Sequence, residues 1–370
     1  MRLNKLHLKN YRNCKNLKLD FKKTKTLIVG KNAQGKTNIL ESIYFLSTLK
    51  SPRTSNIQEL INFNENCFTL EADLIKANTD INLLYSYNIE KKRELKINKV
   101  KSNTKDFKSV LKTVLFSTTD LLLLRGSPQD RRDWLDRAIS QIYPAYDERL
   151  SKYDKIRIQK NNYFKEAAKT GNTDETLLEV LNEQLSVAGS NIIYIRLKYL
   201  KEIERLAREK HKTISESERL TLQYDCEFAQ DDSVDIETIQ QKFINSLKER
   251  KDEEYRRCQA CIGPHRDDIL FNINSQDATK FASQGQQRTI VLSLKLSELD
   301  MITEKTGDEP LLLLDDVLAE LDDIRQNYLL KSISNNIQTI ITSVDTLLFE
   351  DEFLKDVEIF KIEDGNINNL

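Results

Sequence analysis

The sequence lacks long apolar runs, clustered cysteines and an excess of either charge. No apolar run approaches the length of a membrane span, and residues 1–8 alternate like a strand and lack the apolar core of a signal peptide. The five cysteines are scattered, which favours a reducing, cytoplasmic setting without a membrane. The formal net charge is −1, so composition alone gives no evidence for a nucleic-acid partner.

Glycine is also scarce, since only nine occur among 370 residues. A chain with so little glycine is expected to keep it where the backbone takes a positive φ or approaches another group closely. Two of the nine lie in residues 30–37, which fit the pattern G-x-x-x-x-G-K-[ST] between an apolar strand and a predicted helix. This strand–loop–helix context is what the pattern needs to indicate a phosphate-binding loop.

The chemistry of this loop follows from its residue types. Backbone N–H groups and the positive end of the helix favour phosphate, Lys36 reaches the β- and γ-phosphates, and the Thr37 hydroxyl is a ligand for Mg²⁺. The predicted nucleotide-binding residues are Gly30, Lys31, Asn32, Ala33, Gln34, Gly35, Lys36, Thr37 and Asn38.

The order of patterns along the chain predicts an interrupted α/β domain. Strand-like segments open the chain, an antiparallel meander is predicted for residues 67–99, and residues 131–257 show helical spacing with a polar break at 231–233. With 370 residues, one large domain with an insertion or two domains fit the length. We predict an N-terminal part at 1–125, a helical insertion lobe at 126–258 and a C-terminal part at 259–370.

Two later segments complete the predicted site. Residues 310–314 predict a buried strand that delivers Asp315 and Asp316 at its carboxyl end, where α/β sheets bind ligands. Asp315 is placed to bind Mg²⁺ with Thr37, and Asp316 to orient or deprotonate water, which makes Lys36, Asp315 and Asp316 the catalytic candidates. The alternative is a strand that ends in an acidic turn.

Other polar features allow two interpretations. Residues 91–108 are rich in lysine, which fits either a phosphate-binding patch or a solvated hairpin. Arg131 and Arg132 open a predicted helix, where they do not complement its dipole, so they either make a functional contact or are simply exposed. Cys258 and Cys261 form a lone C-x-x-C without a second ligand pair, which is weak support for zinc.

The motifs, taken together, resemble a known family. The loop at 30–37, an S-x-G-Q helix start at 283–286, the diacid and the segment 319–322 occur in the order of the ABC-type ATPases of the SMC class. Five segments resemble the RecF family of bacterial recombination mediators more closely: residues 8–13, 30–38, 126–132, 263–268 and 283–288. The implied fold is an ABC-type P-loop ATPase head, a mixed sheet with helices and an antiparallel β subdomain, with an inserted helical lobe.

The resemblance also implies a function. Members of the family bind ATP and Mg²⁺, form ATP-dependent homodimers on double-stranded DNA near single-strand junctions, and work with RecR and RecO to help RecA load in DNA repair and the SOS response. It implies that Arg12 belongs to the nucleotide site, that Ser283, Gly285 and Gln286 act on the nucleotide of the other protomer, and that Asp322 lies in a loop at the dimer interface. A weak, DNA-stimulated ATPase is expected because Asp316 is shorter than the usual Glu.

The same residues allow two other functions. The alternative to the DNA-repair ATPase is a nucleotide-gated protein scaffold of the SMC class with incidental hydrolysis. A transporter ATPase subunit fits less well, because the signature is Ser-Gln-Gly-Gln-Gln and the helical insertion is large.

Overall fold

The computed structural model describes residues 1–228, 235–333, 336–363 and 365–369. The predicted polar break at 231–233 lies outside this range. The chain forms two compact units, the first from Met1–Leu122 with Arg288–Leu370 and the second from Leu123–Gln287.

The strands of the described residues are β1 Arg2–Tyr11, β2 Cys14–Asp20, β3 Lys25–Val29, β4 Cys67–Lys76, β5 Thr79–Asn88, β6 Lys92–Ile97, β7 Val100–Lys101, β8 Thr113–Ser117, β9 Leu220–Asp225, β10 Asp268–Ile273, β11 Gln276–Asp277, β12 Leu311–Asp315, β13 Thr339–Ser343, β14 Val357–Glu363 and β15 Asn366–Asn369. The α-helices are α1 Lys36–Thr48, α2 Thr104–Val110, α3 Pro128–Ile142, α4 Tyr146–Thr170, α5 Glu175–Ile214, α6 Ile236–Glu249, α7 Lys251–Arg257, α8 Ala278–Phe281, α9 Gln284–Thr306, α10 Asp323–Ser332 and α11 Asp351–Lys355. Short 3₁₀ helices occur at Ile57–Leu60, Asp120–Leu122 and Leu318–Glu320.

The first unit contains a mixed six-stranded sheet in the order β15-β14-β3-β13-β12-β8. All neighbours are parallel except β14 and β15. Strands β3, β12 and β13 are buried along almost their whole length, as expected when both faces of a parallel sheet are covered. Their carboxyl ends lie at one edge, since Asp315 pairs with Thr342 and Ser343 pairs with Val29.

The first unit also contains an antiparallel sheet in the order β2-β1-β4-β5-β6-β7, which includes the predicted meander. Helix α1 shares one apolar core with both sheets. In that core Phe45 meets Tyr85 edge-on at 4.8 Å between ring centroids, and Phe68 stacks on Tyr85 at 5.6 Å. The mixed sheet with helices and the antiparallel β subdomain are thus both present, as the sequence predicts. The packing anchors α1, and therefore the loop that precedes it.

The second unit is helical, with one small antiparallel sheet in the order β11-β10-β9. It includes the 40-residue helix α5, whose buried side chains follow the spacing predicted from the sequence. This unit extends beyond the predicted lobe at 126–258, because β10 pairs along its full length with β9. A pairing between segments so far apart leaves no local signal in the sequence.

Candidate nucleotide-binding site

The loop between β3 and α1 surrounds an open cavity of about 430 Å³. Gly35 precedes α1 at a φ of 113°, and Ala33 also has a positive φ, so the backbone curls as the glycine pattern requires. Lys36 is buried and donates to the carbonyl of Gly30 at 2.7 Å. The cavity is lined by Asn13, Asn32, Ala33, Gly35, Lys36, Thr37, Asn38, Arg53 and Asp316.

Asp315 lies at the end of β12, next to the loop. The Thr37 hydroxyl donates to Oδ1 of Asp315 at 3.0 Å, and so does the Thr342 hydroxyl, also at 3.0 Å. Burial raises the pKa of Asp315, whereas the bonds from Thr37 and Thr342 act in the opposite direction. A cation would favour the charged carboxylate at this position.

The hydroxyl of Thr37 and the carboxylate of Asp315 are hard oxygen donors, which suit Mg²⁺. Mg²⁺ is normally held by one or two carboxylates together with substrate phosphates and water, so two adjacent donors fit it. Within the described part of the chain, no group of three or more His, Cys, Asp or Glu side chains could hold a metal ion. The phosphates of a nucleotide would therefore supply the missing ligands.

Asp316 is held in an unusual conformation. Its φ is 52°, in the left-handed region that costs energy for a residue with a side chain. Its backbone N–H donates to the Thr342 hydroxyl at 2.9 Å, which fixes the turn, and one carboxylate oxygen lies 3.8 Å from Lys36 Nζ. The other oxygen, Oδ1, is buried and has no hydrogen-bond partner among the described residues. This acceptor is available to a water or a ligand group.

The predicted nucleotide residue Arg12 faces a different partner. Its guanidinium donates to both carboxylate oxygens of Glu41, at 3.0 and 2.7 Å, and to the backbone carbonyl of Glu59 at 3.0 Å. Glu41 is fully buried and also accepts from Ser51 at 2.5 Å. Arg53, which lines the cavity, was not singled out in the sequence, and no local motif marks it.

The predicted signature residues belong to the second unit. Ser283 caps α9, because its hydroxyl accepts from the Gln286 N–H at 3.2 Å and its own N–H donates to the Gln286 side chain at 2.8 Å. The amide of Gln286 also donates to Glu218 at 2.8 Å. Gly285 lies in the first turn of α9. The exposed N-terminus of this helix retains the polarity that attracts phosphate.

The arginines of α3 have internal partners. Arg131 donates two hydrogen bonds to Asp268, both at 2.7 Å, and Arg132 donates to the carbonyl of Asp267 at 2.5 Å. Both side chains are buried. Their position at a helix start is therefore explained by packing within the second unit, which favours neither interpretation drawn from the sequence.

Comparison with known proteins gives the family. The family model described as RecF/RecN/SMC N terminal domain matches residues 2–368. The DNA replication and repair protein RecF of Bacillus pumilus is 40% identical over 369 residues, which cover 99% of this chain and 100% of that protein. RecF of Bacillus subtilis is 38% identical over 367 residues, with 99% of each chain covered. The chain belongs to the RecF family.

Solved structures agree with this assignment. A structure of the recombination mediator protein RecF with ATP, from the RecFOR pathway, has a TM-score of 0.91 at 34% identity and covers 100% of this chain and 97% of its own. An Smc head bound to the C-terminal winged-helix domain of ScpA has a TM-score of 0.55 at 15% identity, covering 100% and 98%, and shows the fold alone. No helix among the described residues is long and apolar enough to cross a membrane.

Proposed function

We propose that this protein is an ATP-dependent, DNA-binding recombination mediator in replication-linked DNA repair. The observation that carries the proposal is that Lys36, Thr37 and Asp316 line one cavity at the edge where three parallel strands end, with Asp315 hydrogen-bonded to Thr37. The similar RecF structure with ATP supports ATP as the nucleotide. ATP then acts as a switch for dimerisation, with weak hydrolysis that DNA stimulates.

Each group of residues in the site has a separate role in this proposal. Backbone N–H groups of the loop and the N-terminus of α1 hold the phosphates, and Lys36 exchanges the Gly30 carbonyl for a phosphate oxygen. Thr37 and Asp315 would hold Mg²⁺, which neutralises phosphate charge when bound. Asp316 orients the attacking water or accepts its proton through the unpaired Oδ1. The short reach of Asp316 favours slow turnover.

A second copy of the chain completes the site in this proposal. Ser283 of the partner subunit, with its helix N-terminus, contacts the γ-phosphate, and the partner's Gly285 and Gln286 support that contact. Asp322, which caps α10, lies in the loop at the interface. Ile324 and Leu347 are 72% and 88% exposed, and both follow segments of the site. Such exposed apolar side chains fit a face that becomes covered on dimerisation.

Duplex DNA is the proposed macromolecular partner, and the β6–β7 hairpin is its candidate contact. Lys96 and Lys101 are directly paired across the two strands, an arrangement that is unfavourable for like charges unless an anion neutralises them. Glu94 meets Lys96 at 3.1 Å, while Lys99 and Lys101 are exposed. Lysines on an edge strand also prevent strand pairing between molecules, and the DNA measurement below separates the two roles.

The partner proteins RecR and RecO, and RecA loading at single-strand gaps, are proposed from family membership. The RecFOR pathway in which the similar RecF structure was placed supports them.

Sizing the protein with and without ATP and Mg²⁺ tests the switch. We expect Asp316→Asn to accumulate as an ATP-bound dimer, because it binds but does not activate water. Lys36→Met should neither bind ATP nor dimerise. A monomeric Asp316→Asn protein at saturating ATP would contradict the proposed dimer. A Lys36→Met protein with wild-type ATP affinity would contradict the proposed nucleotide site.

Titration of duplex DNA at several salt concentrations tests the hairpin. The logarithm of the binding constant should fall steeply with the logarithm of salt concentration, and Lys101→Glu should reduce that slope by about one, as expected for one lost phosphate contact. Lys212→Glu, at an exposed lysine of the second unit, is the charge-matched control. Equal salt dependence of DNA binding in the two variants would mean that Lys101 only prevents strand pairing between molecules.

A further inference from the structure

Asn13 is a polar side chain that touches the phosphate-binding loop without belonging to it. It lies in the turn between β1 and β2, and its Nδ2 donates to the backbone carbonyl of Gln34 at 3.1 Å. The backbone N–H of Gly365 donates to the same carbonyl at 3.2 Å. We propose that Asn13 is a positioning residue, which orients the Gln34–Gly35 peptide so that the Gly35 N–H meets a nucleotide phosphate.

The orientation of the Asn13 amide is fixed by a chain of hydrogen bonds. Arg53 donates to Asn38 Oδ1 at 2.7 Å, and Asn38 Nδ2 donates to Asn13 Oδ1, also at 2.7 Å. Asn13 Nδ2 then donates to the Gln34 carbonyl. Because a guanidinium only donates and a carbonyl only accepts, the two ends of the chain determine which way both amides face. Asn13 therefore presents its donor to the loop.

The contact between Asn13 and the Gln34 carbonyl also determines where the N–H of Gly35 points. The Gln34–Gly35 peptide is trans, so the carbonyl of Gln34 and the N–H of Gly35 point in opposite directions. With the carbonyl turned towards Asn13 and Gly365, the N–H points away from them, and Gly35 lines the cavity. An N–H fixed in advance binds an anion without the entropy cost of ordering a glycine peptide.

The packing around Gly35 supports the same role. A Cβ atom at Gly35 would lie 2.8 Å from Asn13 Oδ1, closer than real Cβ contacts, and 3.0 Å from Asn13 Nδ2. A Cβ at Gly365 would lie 2.8 Å from the backbone oxygen of Asn13. The turn at Asn13, the loop and the turn before β15 thus approach one another without space for side chains, and the peptide at Gln34 has little freedom to rotate.

The inference rests on the proposed ATP binding and is tested by comparing Asn13→Ala with Asn16→Ala. Asn16 lies in the same hairpin, is exposed, and hydrogen-bonds His7 at 2.7 Å. We expect Asn13→Ala to weaken ATP binding about tenfold, the size expected when a hydrogen bond to a charged group is impaired. Asn16→Ala should bind ATP like the wild type, and both variants should melt alike without nucleotide.

A direct readout of Gly35 separates orientation from general damage. With only nine glycines, ¹⁵N-glycine labelling gives a sparse spectrum, and ¹³C-carbonyl labelling of glutamine selects Gly35 and Gly285. A Gln284→Asn background removes Gly285 from this selection. ATP should shift the Gly35 amide signal strongly in the wild type and in Asn16→Ala, and much less in Asn13→Ala. Gly171 and Gly307, which have open surroundings, serve as internal references.

Asn13→Asp is the second variant, because its carboxylate still accepts from Asn38 but cannot donate to Gln34. Weaker ATP binding in both variants, with a muted Gly35 shift, supports the inference. Wild-type affinity and a wild-type Gly35 shift in either folded variant overturn it. Failure of the wild-type protein to bind ATP would instead overturn the proposed function.

Discussion

Two glycine-containing segments, the loop at residues 30–37 and the turn at residues 263–268, use their polar groups in opposite ways. The loop borders a cavity, and the neighbouring Asp316 keeps a buried oxygen without a partner among the described residues. In the turn, the carbonyl of Pro264 accepts from Arg196 at 2.6 Å, and the side chain of Asp267 accepts from Tyr224, also at 2.6 Å. One segment retains binding capacity for a ligand, and the other uses its capacity to hold the second unit together.

His265 shows the difference most clearly. Tyr153 donates to its Nδ1 at 2.6 Å, and its Nε2 faces the carbonyl of Ala260 at 3.3 Å. Burial lowers the pKa of His265 to about 3, so the ring is neutral at physiological pH and both nitrogens are used internally. The polar groups of the turn therefore serve packing within the second unit, whereas residues of the loop line a cavity.

Removal of Arg196 should break the turn most severely. Its guanidinium is buried and donates to Asp136 at 2.9 and 2.8 Å as well as to Pro264. Arg196→Ala leaves the carboxylate of Asp136 without its cationic partner, and among the described residues only the bond from Tyr146 remains, so we expect a loss of about 3–5 kcal/mol in the free energy of unfolding. Trp134, the only tryptophan and buried in the second unit, reports this unfolding by fluorescence in urea.

The corresponding variant in the loop is Lys36→Met, which removes the proposed phosphate contact of Lys36. It should abolish ATP binding and leave the urea transition of Trp134 unchanged. A Lys36→Met protein as unstable as Arg196→Ala would remove the distinction between the two segments.

Substitution of Gly263 should have the next largest effect. Its φ is 124°, and a Cβ would lie 2.4 Å from Tyr153 Oη and 2.8 Å from Phe243. Gly263→Ala combines backbone strain with overpacking, for which we expect a loss of about 3 kcal/mol. Gly171→Ala isolates the backbone part, since Gly171 also has a positive φ but nothing within 4 Å of its Cβ position. That control should lose only about 1 kcal/mol, and equal losses would show that packing against Tyr153 contributes nothing.

The difference between local and distant contacts also explains what the sequence could predict. The fold class, the phosphate-binding loop and the diacid strand carry contiguous signals, and the fold class and family were confirmed. The hydrogen bonds of Asn13 to Gln34 and of Arg53 to Asn38 join segments that are separate in the sequence, so no spacing rule reveals them. The aspartates that Arg131 and Arg132 contact lie more than a hundred residues away, so no local signal in the sequence indicates that these arginines are buried.

The pH dependence of stability gives the smallest and most specific test of the turn. Burial raises the pKa of Asp267 to about 6, against the hydrogen bond from Tyr224 and the positive charge of Arg196, which lower it. Since the folded pKa exceeds the unfolded value, folding binds a proton. This contribution is fully present below the unfolded pKa of about 4 and is lost as pH rises through about 6.

Asp267→Asn removes this titration while its amide oxygen still accepts from Tyr224. The free energy of unfolding of the wild type relative to Asp267→Asn should therefore fall by about 1 kcal/mol between pH 5 and pH 7. Asp225→Asn, at an exposed aspartate of β9 in the same unit, is the charge-matched control. A constant difference across this range would mean that the neighbouring arginines keep Asp267 charged throughout. The turn would then contain a buried ion pair and not the titrating acid that we infer.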